Sequence, residues 1–191
     1  MTNFDHKTVD LYSLFKDQAF EIDLFRNKEL EDDVKELYQY NCQFCCINME
    51  DVADLGLDSQ EQFKIAHLWD LKFSGPAEMT NMLCLCAECE MSFAVGRFIV
   101  QKEGSKFKWF SYYPDEMDWF EGGLVALQDT HKLSEECVLW HSTYNKKRTS
   151  DIREKGLESW NQQVEDQCLT HANQELKKVF PDHVSSRIKH D

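Results

Sequence analysis

The sequence predicts an α+β fold: a small core of strands and a helix stapled by a metal, followed by a β-hairpin, with helices before and after. Three observations carry that expectation. Two Cys-x-x-Cys pairs, Cys42/Cys45 and Cys86/Cys89, bracket the middle of the chain. Between and just after them lie short apolar runs with strand-like alternation and turn signals. On either side, apolar residues recur at helical spacing.

In chain order, residues 8–40 read as helical, with Leu30, Val34, Leu37 and Tyr38 on one face beside the acidic run Glu29-Leu30-Glu31-Asp32-Asp33. Asn41 to Cys46 forms the first knuckle. Phe63 to Trp69 is expected as a strand with His67 near its end, and Gly75-Pro76 as a turn. Thr80-Asn81 leads into an apolar run, Met82 to Leu85, and Ala87 to Phe93 fits a short helix that starts at the second knuckle. Arg97–Val100 and Phe107–Tyr112 read as strands joined by a Glu103-Gly104-Ser105-Lys106 turn. Tyr113 to Gly123 reads as an acidic, aromatic loop. From Leu133 to near Phe180 the pattern is helical, with a break expected around Asn145 to Ser150 and with Ser134 and Ser150 as N-caps. Leu157, Trp160, Val164, Cys168 and Leu169 form an apolar stripe that suits burial. The expected organisation is an acidic helical segment (1–40), a zinc-stapled core with its hairpin (41–125) and a helical segment packed on that core (126–191).

Composition sets the class. At 191 residues, 42% apolar and 13% aromatic, the chain has enough to bury a core. No apolar run reaches the ~18–20 residues of a membrane span, and Met1 to His6 lacks the layout of a signal peptide. The expected location is intracellular, cytoplasmic or nuclear. Six of the eight cysteines (42, 45, 46, 84, 86 and 89) crowd into the two knuckles, which favours a metal over disulfides. Cys137 and Cys168 sit singly and suit small buried positions.

Two thiolates three positions apart on a tight turn can bite one ion. Two such turns make a tetrahedral four-sulfur site for which Zn2+ is the natural occupant. Either Cys46 or Cys84 could also stand in for a neighbour. The 40 residues between the pairs far exceed the ~15–20 of a simple ribbon, so further structure is expected inside the closed loop. A site filled by four thiolates has no open position for water, which argues against a zinc hydrolase or deaminase.

Charge is uneven. The net charge is −14, yet residues 1–60 carry 14 acids against 5 bases while residues 146–191 carry 8 against 9. A basic cluster of Lys146, Lys147, Arg148, Arg153 and Lys155 follows the core. Such asymmetry permits a local phosphate-binding face, with Lys146, Lys147 and Arg148 as candidates, on an acidic protein.

The succession of knuckle, strand ending in His, Asn, second knuckle and helix over residues 41–96 resembles the HNH (ββα-metal) nuclease family. Ile65-Ala66-His67-Leu68 is similar to its first His segment. Asn81 falls where the family Asn precedes the second Cys pair, and Glu90 takes the third signature position, usually His or Asn. Glu90 to Phe98 is also similar to the His-x-x-Phe-Asp-x-Gly ending of one subgroup, in which Ala commonly precedes the first His. The resemblance implies a metal-dependent nuclease cutting DNA, with His67 as general base and Glu90 and Asn81 at a divalent-metal site. Asn81 would either hold the His-bearing loop or lend its carbonyl to that site. A neutral imidazole suits proton abstraction near pH 7, and a carboxylate at position 90 favours Mg2+ or Mn2+. The zinc would be structural.

The sequence departs from the family at Ala66, which supplies no second ligand, at Asp70, where a Pro is frequent, and at Glu90 itself. These departures and the acidity define the alternative: a catalytically degenerate HNH scaffold serving as a zinc-binding interaction module that engages a basic protein partner.

Overall fold

The computed structural model of the chain describes residues 26–54, 56, 60–113, 118–156 and 159–181. Most of the expected N-terminal helix, the stripe residue Leu157 and the tail beyond Pro181 lie outside them.

Helix α1 (Lys28–Leu37) starts at Asn27, whose side chain accepts from the Leu30 N–H, and buries Val34. A short helix α2 (Met49–Asp54) follows the first knuckle. Strands β1 (Phe63–His67) and β2 (Met82–Cys86) then pair antiparallel, with Phe63 opposite Cys86 and His67 opposite Met82. All five β2 residues are buried, so the continuous apolar run Met82 to Leu85 is explained by cover on both faces. Helix α3 (Ala87–Ala94) begins directly at Cys86 and packs back on both strands. This is the expected ββα unit within an α+β fold.

The hairpin after it gains a strand. β3 (Phe98–Glu103) and β4 (Lys106–Tyr113) pair around Gly104, whose φ of +60° suits the tight turn. β5 (Asp118–Leu124), which the sequence presents as a loop, adds to β4. Gly122 has a physical reason there: a Cβ on it would stand 2.2 Å from the Trp109 ring. The glycine lets β5 close over that indole, which in turn stacks on Phe44 of the first knuckle.

The C-terminal region is a helical hairpin. Helix α4 (Glu135–Lys155) is capped by the Ser134 hydroxyl, as expected. It runs unbroken through Asn145 to Ser150, contrary to the expected break, and ends at Gly156. The polar run does not open the helix because its members are engaged along the helix itself. Asn145 bonds back to the His141 carbonyl, and Lys147 pairs with Asp151. Ser150 is therefore mid-helix, and Asn161 caps helix α5 (Gln162–Val179) instead. Val164, Cys168, Ala172 and Leu176 of α5 are buried. Cys168, Ala172 and Leu176 belong to one hydrophobic cluster with Val34, the β1–β2 strands and Trp140 of α4. Trp69, just after β1, stacks on Trp140, which stacks on Tyr144.

Candidate metal centre and cleft

Residues 42–46 form a turn, with Cys46 N–H donating to the Cys42 carbonyl and Cys46 held at φ +63°. The turn is stitched to β2 by Gln43. Its backbone N–H donates to the Cys84 carbonyl, and its buried side-chain oxygen accepts from the Cys84 N–H. The second pair lies at the end of β2 and in the first turn of α3. The Sγ atoms of Cys42, Cys45, Cys86 and Cys89 consequently gather within 4.8 Å of one another, and Cys45 and Cys86 are 3.7 Å apart. A tetrahedral ion with bonds of about 2.3 Å to sulfur sets its ligands about 3.8 Å apart. The cluster therefore has the donor type, number and spacing to hold a metal ion such as zinc.

Cys46 and Cys84 are not members of this group. Cys84 lies buried beneath Gln43, and burial pushes its thiol up to about 12, which keeps it protonated. Within the group, hydrogen bonds from Cys45, Cys86 and Cys89 hold Cys42 far below the usual thiol range. Sharing with Cys42 pushes Cys89 far up. A dication would favour the thiolate at all four positions.

His67 ends β1. Its Nε2 is buried and has no hydrogen-bond partner among the described residues. Burial, with the nearby Arg26 guanidinium second, lowers its pKa to about 4, so the ring is neutral at pH 7. Glu90 lies in the first turn of α3, one residue beyond Cys89. Burial raises its pKa, while Arg26 and Lys64 oppose that rise. The same guanidinium thus acts on both the imidazole and the carboxylate.

Asn81 is fully buried and spends its side chain on the loop after His67. Its Oδ1 accepts from the Trp69 N–H at 2.7 Å, and its Nδ2 donates to the Trp69 and Pro76 carbonyls at 2.8 Å each. Leu68 N–H donates to the Asn81 carbonyl at 2.9 Å. Of the two tasks the sequence leaves open for Asn81, this geometry matches the holding of the His-bearing loop, because the amide oxygen is already engaged.

The basic cluster is dispersed. Lys146 is exposed, but Lys147 lies 2.6 Å from the buried Asp151 carboxylate. Arg148, expected on a phosphate-facing surface, is buried, with its guanidinium over the Trp160 ring and Nη1 reaching the Ala94 carbonyl. Its position follows from Gly96, at φ +76°, where a Cβ would meet Asn145 Oδ1 at 2.7 Å and Arg148 Nη1 at 3.4 Å. The helix packs so closely there that Arg148 is an internal strut between α3 and α4.

Sequence reasoning missed Arg26. It precedes the cap of α1 and belongs to no motif, so only the packing of α1 on β1 brings it to the Ile65 carbonyl. Among the described residues, no helix is long and apolar enough to cross a membrane.

No protein-family model and no curated protein matches this sequence. One solved structure, a modification-dependent TagI restriction endonuclease, is similar over 61% of this chain at 23% identity and a TM-score of 0.48. The match spans 37% of that protein's length.

Proposed function

We propose that this chain is a zinc-stapled nuclease of the HNH type that hydrolyses DNA phosphodiester bonds with a divalent cation. One observation carries the reading. His67, at the end of β1, and Glu90, in the first turn of α3, stand on two elements that pack on each other, and Glu90 directly follows Cys89 of the four-sulfur cluster. In this reading His67 is the general base. Its ring is neutral at pH 7, and Nε2, without a partner among the described residues, is an acceptor for the proton of an attacking water. The half-buried Glu90 carboxylate fits a hard cation, for which it would be the oxygen ligand. Mg2+ or Mn2+ there would polarise the phosphate and stabilise the departing oxygen. Asn81 acts through Trp69 and Pro76, holding the loop after His67 so that the imidazole keeps its orientation. Zn2+ at the four cysteines is structural.

Plasmid nicking with Mg2+ or Mn2+ tests this. His67→Ala is expected to abolish nicking while zinc content and circular dichroism stay as in the wild type. Glu90→Ala is expected to raise the Mg2+ concentration at half-maximal rate about tenfold or more. Undiminished cutting by His67→Ala rejects the assigned base.

The enclosure of His67 Nε2 favours a second reading, in which the cleft is a retained scaffold and the acidic surface engages a basic protein partner. Wild-type protein that is fully zinc-loaded yet inert on supercoiled and single-stranded DNA with both cations selects that reading.

A further inference from the structure

We propose that Cys45 is the oxidation site of the four-sulfur cluster, where a hydroperoxide closes a Cys45–Cys86 disulfide and so releases the metal. The inference rests on the metal-holding cluster alone and stands under either reading of the cleft. The four sulfurs are unequal in access. Cys42, Cys86 and Cys89 keep 1%, 7% and 8% of their surface accessible, whereas Cys45 lies open to solvent. The asymmetry follows from how the knuckle is anchored. Gln43 is buried against both backbone groups of Cys84. Phe44 is buried too, stacked on Trp109 and tilted against Phe93. With those two side chains inside, the turn carries Cys45 to the surface. Around a metal the sulfurs are thiolates, the form that attacks an oxidant. Access then selects among them, and it selects Cys45.

Cys86 is placed to complete the reaction. Its Sγ lies 3.7 Å from that of Cys45, across the seam between the knuckle and the end of β2. The Cys45 thiolate attacks one oxygen of hydrogen peroxide. An S–O bond forms, the O–O bond breaks, and the departing hydroxide takes up a proton to become water. The Cys86 thiolate then attacks the Cys45 sulfur. An S–S bond forms, the S–O bond breaks, and the second hydroxide also leaves as water. The two sulfurs lose two electrons and the peroxide gains them. Cys42 and Cys89 remain as half a shell, too few donors for a closed tetrahedral site. Cys89 directly precedes Glu90, so the first turn of α3 loses its metal anchor as the disulfide forms. Cys46 is also exposed but stands outside the cluster, so its oxidation alone releases nothing.

The test treats the full-length zinc-loaded protein with hydrogen peroxide. A chromogenic chelator reads released zinc, and mass spectrometry maps disulfides after free thiols are alkylated. Zinc release and a Cys45–Cys86 disulfide are expected to appear in step, and dithiothreitol with added Zn2+ is expected to reverse both. Cys45→His keeps a fourth ligand but removes the open sulfur, and it is expected to slow release about tenfold or more. Cys46→Ala is expected to leave both the rate and the link as in the wild type. Should Cys45→His fail to load zinc, the wild-type disulfide map and Cys46→Ala decide the matter. Three results overturn the proposal. The first is a wild type that keeps its zinc while Cys46 is oxidised. The second is release from Cys45→His as fast as from wild type, or a disulfide that excludes Cys45. The third is a Cys45–Cys46 link whose loss in Cys46→Ala also stops release, which removes Cys86 from the reaction.

Discussion

Replacing Asn81 with Ala isolates what the loop after His67 depends on. The side chain makes three short hydrogen bonds in a site with no solvent exposure, to Trp69 N–H, Trp69 C=O and Pro76 C=O. Each is worth about 1 kcal/mol net, and an orphaned buried partner costs about 1–3 kcal/mol. The variant leaves one buried N–H and two carbonyls without that partner, so the expected loss is about 3–5 kcal/mol. For a chain of this size that corresponds to a fall in Tm of roughly 10 °C. Asn81→Asp is expected to be at least as damaging, because a carboxylate would accept from Trp69 N–H but face two carbonyl oxygens with no proton to offer. Urea titration of the zinc-loaded protein, followed by tryptophan fluorescence, gives the stability directly. Trp69 sits in the affected loop and stacks on Trp140, so a local change in emission is also expected. A loss below about 1 kcal/mol for Asn81→Ala would refute the clamp.

Two further expectations concern the metal and pH. Removing the metal with a strong chelator, or replacing Cys42 with Ser, should abolish the cooperative unfolding transition, because a structural site of this kind contributes on the order of 10 kcal/mol; a protein that keeps its far-UV spectrum and Tm without metal would show the sulfurs to be dispensable. His141 is fully enclosed, stacked on Phe93 at 4.4 Å, and burial lowers its pKa to about 4 from 6.5. Between those values the unfolded chain binds a proton that the native state refuses, so this contribution to stability is present above pH 6.5 and is lost as the pH falls towards 4. The loss amounts to about 3 kcal/mol, and urea midpoints of wild type and His141→Gln across pH 4–7 should show a shallower slope in the variant.

The two knuckles, the strand ending at His67 and the helix starting at Cys86 were legible because each has a local signature: paired thiols, alternation and an abrupt change of period. The α+β class followed from these. The third strand, Asp118–Leu124, was not legible, because Gly122 and Gly123 signal a turn in sequence and only the Trp109 indole packed against Gly122 explains that glycine's use in a strand. The supposed break at Asn145 to Ser150 failed for a related reason. A polar run looks like a helix end unless Asp151 is known to draw in Lys147 and Lys155, and Gly96 to admit Asn145 and Arg148. Among the candidate residues, His67, Asn81 and Glu90 are nominated by the resemblance to the HNH family, whereas the commitment of Asn81 to Trp69 and Pro76 has no sequence signal. Arg26 had no signal at all, since nothing in its neighbours distinguishes it from a surface base.

Gln43 gives the cysteine cluster a reach beyond its own ligands. Besides mimicking a strand partner for Cys84, it donates from Nε2 to the Ala126 carbonyl and accepts from the Ala126 N–H through its backbone oxygen. One residue inside the first knuckle therefore fastens the two-stranded hairpin to the chain leaving the three-stranded sheet. Ion occupancy at residues 42–89 and the docking of the segment after Leu124 should then rise and fall as a single equilibrium, so that a protease would find the junction near Ala126 only in molecules whose thiols have let go.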